Sequence, residues 1–164
     1  MILGLSIGAF TLLHVAISLI AIGSGLIVVG GMFASRRLPV TTAVFLLTTI
    51  LTSVGGFLFP IHGFTPALGV GGVSCVILAI ALVAYYGQHL AGAWRWIYVV
   101  TAIAALYLNV FVTVVQSFVK IAALNALAPT QSEPPFAITQ IVVLAIFVLI
   151  GIAALVTFRP KAAS

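Results

Sequence analysis

The stretch FAITQIVVLAIFVLIGIAALVTF, from Phe136 to Phe158, carries no charged side chain and is followed at once by Arg159, Pro160 and Lys161. About 20 apolar residues coiled as helix cross the ~30 Å hydrocarbon layer of a bilayer, so this stretch is long enough to span one. In hydrocarbon the backbone must satisfy its own hydrogen bonds, which leaves only helices and closed barrels. The period-2 alternation of barrel strands is missing. The stretch therefore reads as a transmembrane helix, started by Pro134 and Pro135 and stopped by the basic cluster.

Working back from it, four more apolar runs appear, and the predicted spans are 5–32, 40–59, 66–86, 96–120 and 136–158 of a 164-residue chain. The whole sequence is 64% hydrophobic and 4% charged, with a mean hydropathy of +1.42, far from the roughly 25% charged residues of soluble domains. The expected fold class is all-α: a single transmembrane domain, 1–164, made of a five-helix bundle. Short joining segments leave no room for a second core.

A net charge of +5 in a soluble protein would suggest nucleic acid, but here the positions of the charges decide. Arg36 and Arg37 follow the first span, Arg95 follows the third, and Arg159 and Lys161 follow the fifth. On an alternating path these share one side, which the positive-inside rule assigns to the cytoplasm. The prediction is an outside N-terminus and a cytoplasmic C-terminus. Lys120 and the single acid, Glu133, then lie outside, either paired with each other or each solvated. Met1 to Ser6 lack Lys and Arg, so the first span is expected to be retained rather than cleaved as a signal peptide. Cys75, the one cysteine, excludes an intrachain disulfide and two-cysteine redox chemistry.

Between the spans, Thr65 is expected to cap the third and Pro66 to take its first position. Trp94, Trp96 and Tyr98 beside Arg95 resemble an interfacial aromatic belt. The fourth span is expected to run on as a surface helix through Asn125 and Leu127 until Pro129. An odd number of spans and no visible repeat argue against a two-halved transporter.

Polar groups at membrane depth are costly and face the bundle or a wet cavity. Asn109, Thr113, Gln116 and Lys120 recur at steps of four, three and four, forming one helical stripe. Thr11, His14, Ser18, Ala21 and Gly25 form a second. Thr41, Thr48, Thr52 and Gly55 lead toward His62, and Gly71, Cys75 and Ala79 offer a small-residue face. The fifth span is apolar beyond Gln140 and is expected to face lipid. The plain alternative is that the stripes only pack helices, with hydrogen bonds worth ~0.6 kcal/mol each on average. On the predicted topology His14, Asn109, Gln116 and Lys120 converge in the outer half of the bilayer, beneath a loop bearing His62, Gln131 and Glu133.

Glu133 is the only carboxylate side chain, so sites that need a carboxylate pair, a nucleophile with its base, or a metal cluster are disfavoured. No catalytic residue is assigned. A quinone or lipid needs only one or two hydrogen-bonding groups at the end of an apolar slot, and the candidate ligand-binding residues are His14, Asn109, Gln116, Lys120, His62 and Glu133. Haem b is the alternative cofactor, with His14 and His62 as axial ligands. His89 lies at the opposite surface. A third expectation is an accessory subunit, packing through Gly23, Gly25, Gly55, Gly56, Gly69, Gly71 and Gly72 into a homo-oligomer or a larger membrane complex.

The segments HVAISLI (14–20), FPIHGFTP (59–66), YLNVFV (107–112) and APTQSEPPF (128–136) resemble small multi-pass proteins of the bacterial inner membrane. The resemblance covers most of the chain and implies that location, with membrane lipid as partner and no nucleic acid; it implies no function. The translocator protein family is similar in length and number of spans but rich in Trp, whereas only Trp94 and Trp96 occur here, and the chain is not assigned to it.

Overall fold

Capping residues and prolines set where the helices begin. In the computed structural model, which describes residues 1–60 and 66–160, Ser6 accepts a hydrogen bond from the Ala9 N–H at 3.2 Å and opens α1, Ile7–Phe33. Pro39 opens α2, Pro39–Gly56, and Pro134 opens α6, Pro134–Thr157. At such positions the missing N–H has no intrahelical partner to lose. Between these lie α3, Pro66–Leu82, which passes into a π-helical turn at Val83–Gly87, then α4, Trp94–Lys120, and the short α5, Ala122–Leu127. Residues 61–65 and 161–164, and with them the expected roles of His62, Thr65 and Lys161, lie outside the described residues.

The described residues contain no β-strand, and five helices are long and apolar enough to cross a membrane. The expected extension of the fourth span differs in one respect. The helix stops at Lys120, Ile121 is extended (φ −90°, ψ 114°), and α5 restarts after it. The Asn125 side chain explains the break, since its Nδ2 donates to the Phe118 carbonyl at 3.1 Å and so satisfies an end carbonyl that a continuing helix would have bonded.

α4 is the central helix, packing on α1, α3 and α6, while α2 packs between α1 and α3. One end of the bundle is tied together by its arginines. Arg37 donates to the His89 carbonyl at 3.0 Å, Arg95 donates to the Phe158 carbonyl, and the Arg159 N–H donates to the Ser35 hydroxyl at 2.8 Å. Arg36, Arg37, Arg95 and Arg159 thus share one end, and Lys120 and Glu133 lie toward the other.

The well-packed core is displaced toward this arginine end. Met32, Phe45, Leu46, Leu78, Val99 and Leu106 are among its fully buried members. Gly25 admits the close approach of three helices, because a Cβ there would lie 2.7 Å from Leu106 Cδ1 and 2.9 Å from Phe45 Cε2. Tyr98 departs from the interfacial belt expected of it. It is 1% exposed, whereas Trp96 is 50% exposed, because Tyr98 falls on the α4 face that meets Tyr85 and Phe158. α6 buries only Gln140, Phe147 and Ala154, a seam of seven-residue steps on one face, and its remaining apolar surface is largely exposed, as its composition predicted.

Candidate functional site

Two stripes read from the sequence meet across α1 and α2. The Ser18 hydroxyl, whose proton goes to the His14 carbonyl at 2.8 Å, lies 3.4 Å from the Thr52 hydroxyl. His14, half-buried, stacks edge-on against Phe59 with ring centroids 5.3 Å apart, and its Nδ1 lies 3.2 Å from where a Gly55 Cβ would sit. Gly55 is therefore the space that the imidazole occupies. Among the described residues no hydrogen bond reaches the His14 ring, while Lys120 of α4 is close enough to interact with it electrostatically.

The α4 stripe divides by depth. Asn109, 9% exposed, donates from Nδ2 to the Thr49 hydroxyl of α2 at 3.1 Å, and Thr113 returns its own hydroxyl proton to the Asn109 carbonyl at 2.8 Å. Gln116 and Lys120, one and two turns further out, are exposed. His14 and Lys120 thus stand toward the same end of the bundle, while Asn109 is committed to a helix–helix bond deeper within it. Thr49 and the Ser53–Ser74 bond, 3.0 Å between α2 and α3, lie off the expected Thr41–Thr48–Thr52 face. Thr48 instead bonds the Val44 carbonyl of its own helix.

Glu133 pairs with neither Lys120 nor any other cation among the described residues. Its carboxylate closes its own loop, accepting from the Thr130 hydroxyl at 2.8 Å and from the Thr130 and Ser132 N–H groups at 3.1 Å each. Desolvation, the largest single influence on its pKa, would raise it but is outweighed by the Thr130 hydroxyl and the backbone donors of Glu133, Thr130 and Ser132 together, which hold the carboxyl below its usual range. Gln131 also turns inward on the loop, donating to the Pro129 carbonyl at 3.1 Å.

A cleft lies beside the stripe. α1 and α6 meet at the arginine end, where the Thr157 hydroxyl, bonded to the Ala153 carbonyl at 2.9 Å, also lies 3.4 Å from the Met32 carbonyl, and are held apart toward the other end by this cleft of about 420 Å³. Leu19 and Ile22 of α1, Val110, Val114 and Phe118 of α4, and Leu124 of α5 supply its apolar wall. Between Asn109 and Phe118 no α4 residue is fully buried, so the cleft is the place where α4 lacks a neighbour. Three hydroxyls reach the lining, and each proton is already committed to the carbonyl four residues back: Thr113 to Asn109, Ser117 to Thr113, and Thr139 to Pro135, all at 2.8 Å.

No family model, curated protein or solved structure matches this chain. Its chemistry is therefore argued from these contacts alone. No three metal-ligating side chains cluster among the described residues, and the cleft wall contains neither a carboxylate nor an imidazole. Such a wall can hold an apolar group but has nothing with which to move a proton or activate a nucleophile. Polarity in the sequence could not have located it. Leu19, Ile22, Val110 and Val114 look like any other membrane-helix residues, and only the gap between α1 and α6 distinguishes them.

Proposed function

We propose that this chain is an integral protein of the bacterial inner membrane that holds a hydrophobic ligand in the cleft between α1, α4 and α6, near the outer leaflet. The cleft itself carries the proposal. Its volume of about 420 Å³ falls within the ~300–1,000 Å³ of small-molecule sites, and its wall is almost wholly apolar. With the arginines cytoplasmic, it opens sideways into the hydrocarbon of the outer half of the bilayer.

Of the two ligands that the sequence suggested, the lining favours a lipid acyl chain over a quinone. A quinone head needs a donor for its carbonyls, and the three hydroxyl protons in the wall are taken by backbone carbonyls. An acyl chain needs none. His14, Gln116 and Lys120 then stand outside the cleft, toward the same membrane surface, where a lipid head group would lie.

Native mass spectrometry of the full chain released from mild detergent tests this. One retained lipid per protomer is expected, and Val114→Trp, which fills the cleft, should abolish it with the helical circular dichroism unchanged. A chain that retains no lipid and binds neither lipid nor quinone in titration overturns the proposal. A Soret band in preparations from haem-replete cells would instead favour the His14–His62 alternative.

A further inference from the structure

A second, smaller cavity at the arginine end joins two of the three buried side-chain polar atoms that the packing leaves without partners among the described residues, the third being Gln140 Oε1. It has about 10 Å³ of space, room for a single oxygen-sized group. Tyr98 is 1% exposed and its hydroxyl has no partner at full hydrogen-bond geometry, the Thr42 side chain beside it making at most a long, weak contact. The Arg37 Nε–H is likewise buried and unpartnered, while the other arm of the same guanidinium is fixed on the His89 carbonyl at 3.0 Å. Both groups line the cavity, together with Arg36, Thr42 and Tyr85. Buried polar groups are seldom left unpaired, because each forfeits the water it gave up.

What fills this space is constrained by charge. Arg36 and Arg37 bring two positive charges, and the chain's one carboxylate side chain, Glu133, sits at the far end of α6. A water would accept from both orphan donors but leave that charge uncompensated. We propose that the cavity is an oxyanion site that takes one oxygen of a phosphate group, held by the Arg37 Nε–H and the Tyr98 hydroxyl with Arg36 outside. Arginine suits this role because its fixed donors match phosphate oxygens. The phosphate comes either from a lipid head group at this surface or from free phosphate.

Thermal unfolding of the detergent-purified full chain, at matched ionic strength, separates the sources. Inorganic phosphate should raise the midpoint above its value in chloride if the ligand is free phosphate. Short-chain phosphatidic acid should do so where inorganic phosphate does not if the ligand is a lipid head group. In either case Tyr98→Phe should raise the ligand concentration needed for a given midpoint shift about tenfold or more, the usual scale for a lost hydrogen bond to a charged group. Arg37→Lys, which keeps the charge but not the Nε donor, should do the same and provides the test if Tyr98→Phe does not fold. A wild-type midpoint that neither phosphate source moves beyond chloride overturns the proposal, as does a response in both variants equal to that of the wild type. Tyr98→Phe that is simply more stable than the wild type, with no phosphate response in either, would mean that the site holds water only.

Discussion

The Asn109–Thr49 bond offers the sharpest decision about what the intramembrane polar stripe is for. Asn109→Leu and Thr49→Val replace each partner by an apolar side chain of similar shape, and their combination removes the whole pair. Thr49 is 0% exposed and Asn109 is 9% exposed, so either single substitution breaks the bond and leaves its partner's polar group unpaired, at a cost of about 0.6 kcal/mol on the scale of hydrogen bonds between membrane helices. The double variant strands neither. It should therefore be less destabilised than the two singles summed, with a coupling near 0.6 kcal/mol and no larger than about 1.7 kcal/mol, the range found for hydrogen bonds between membrane helices. Thr113 donates to the Asn109 main-chain carbonyl, which the substitution leaves in place, so the helix itself is not disturbed.

Reversible unfolding in bicelles, measured for the wild type, both singles and the double, gives the coupling directly. A coupling within about 0.3 kcal/mol of zero would refute a structural bond between α4 and α2. Lipid retention provides the second readout. Asn109→Leu should keep its bound lipid, because Asn109 does not line the cleft; loss of lipid at unchanged stability would restore Asn109 to the binding site that the sequence suggested.

At Gly25, alanine should destabilise by about 1–3 kcal/mol through overpacking, because Leu106 and Phe45, which its Cβ would meet at 2.7 and 2.9 Å, are themselves buried; Gly23→Ala, with nothing within 4 Å, should stay within about 0.5 kcal/mol of wild type in the same unfolding assay. For topology, after Cys75 is replaced, Ser132→Cys should react with an impermeant thiol reagent in intact cells and Ser35→Cys should not, and the reverse pattern would move the cleft to the cytoplasmic leaflet. Because the folded-state pKa of Glu133 is depressed from 4.5, its contribution to the 128–133 loop is full above that value and is lost as pH falls through the lower, folded one. Amide exchange at Thr130 and Ser132 should accelerate over that acid window in the wild type and show no such step in Glu133→Gln.

The number of long helices was legible because each had to be apolar for its whole length, and the exposed apolar surface of α6 followed from the same property. The polar stripes also contained residues that turn toward a neighbouring helix, Ser18 toward Thr52 and His14 toward Gly55, since a polar or small residue on an otherwise apolar helix tends to face another helix. They did not identify depth or partner. Thr41, Thr48 and Thr52 fit one helical face as well as Thr42 and Thr49 do, and only the three-dimensional packing places Thr42 and Thr49 inside. Tyr98 was misread for a related reason. An aromatic beside Arg95 and two tryptophans looks like a surface anchor until the neighbouring Tyr85 and Phe158 close over it. The cleft left no polar trace, because its hydroxyls satisfy their own helices and its remaining wall is aliphatic. An opening of that kind is defined by which helices fail to meet, a property of the whole bundle rather than of any segment.

The two proposed sites cannot be filled by one molecule, and this yields a test of both. Tyr98 and Val114 lie on the same helix, α4, separated by 16 positions (114 − 98), or roughly 24 Å along the axis at 1.5 Å per residue. One leaflet contributes only about 15 Å of hydrocarbon. A lipid anchored by its phosphate at the arginine end would have to leave its own leaflet to reach Val114, so the cleft and the oxyanion cavity must take separate ligands from opposite sides. Val114→Trp should accordingly lose the retained lipid and keep the full response to the phosphate source, whereas Tyr98→Phe should lose the phosphate response and keep the lipid. If either substitution abolishes both signals while circular dichroism and unfolding remain as in the wild type, the sites are coupled through α4, and the independence argued from their separation is wrong.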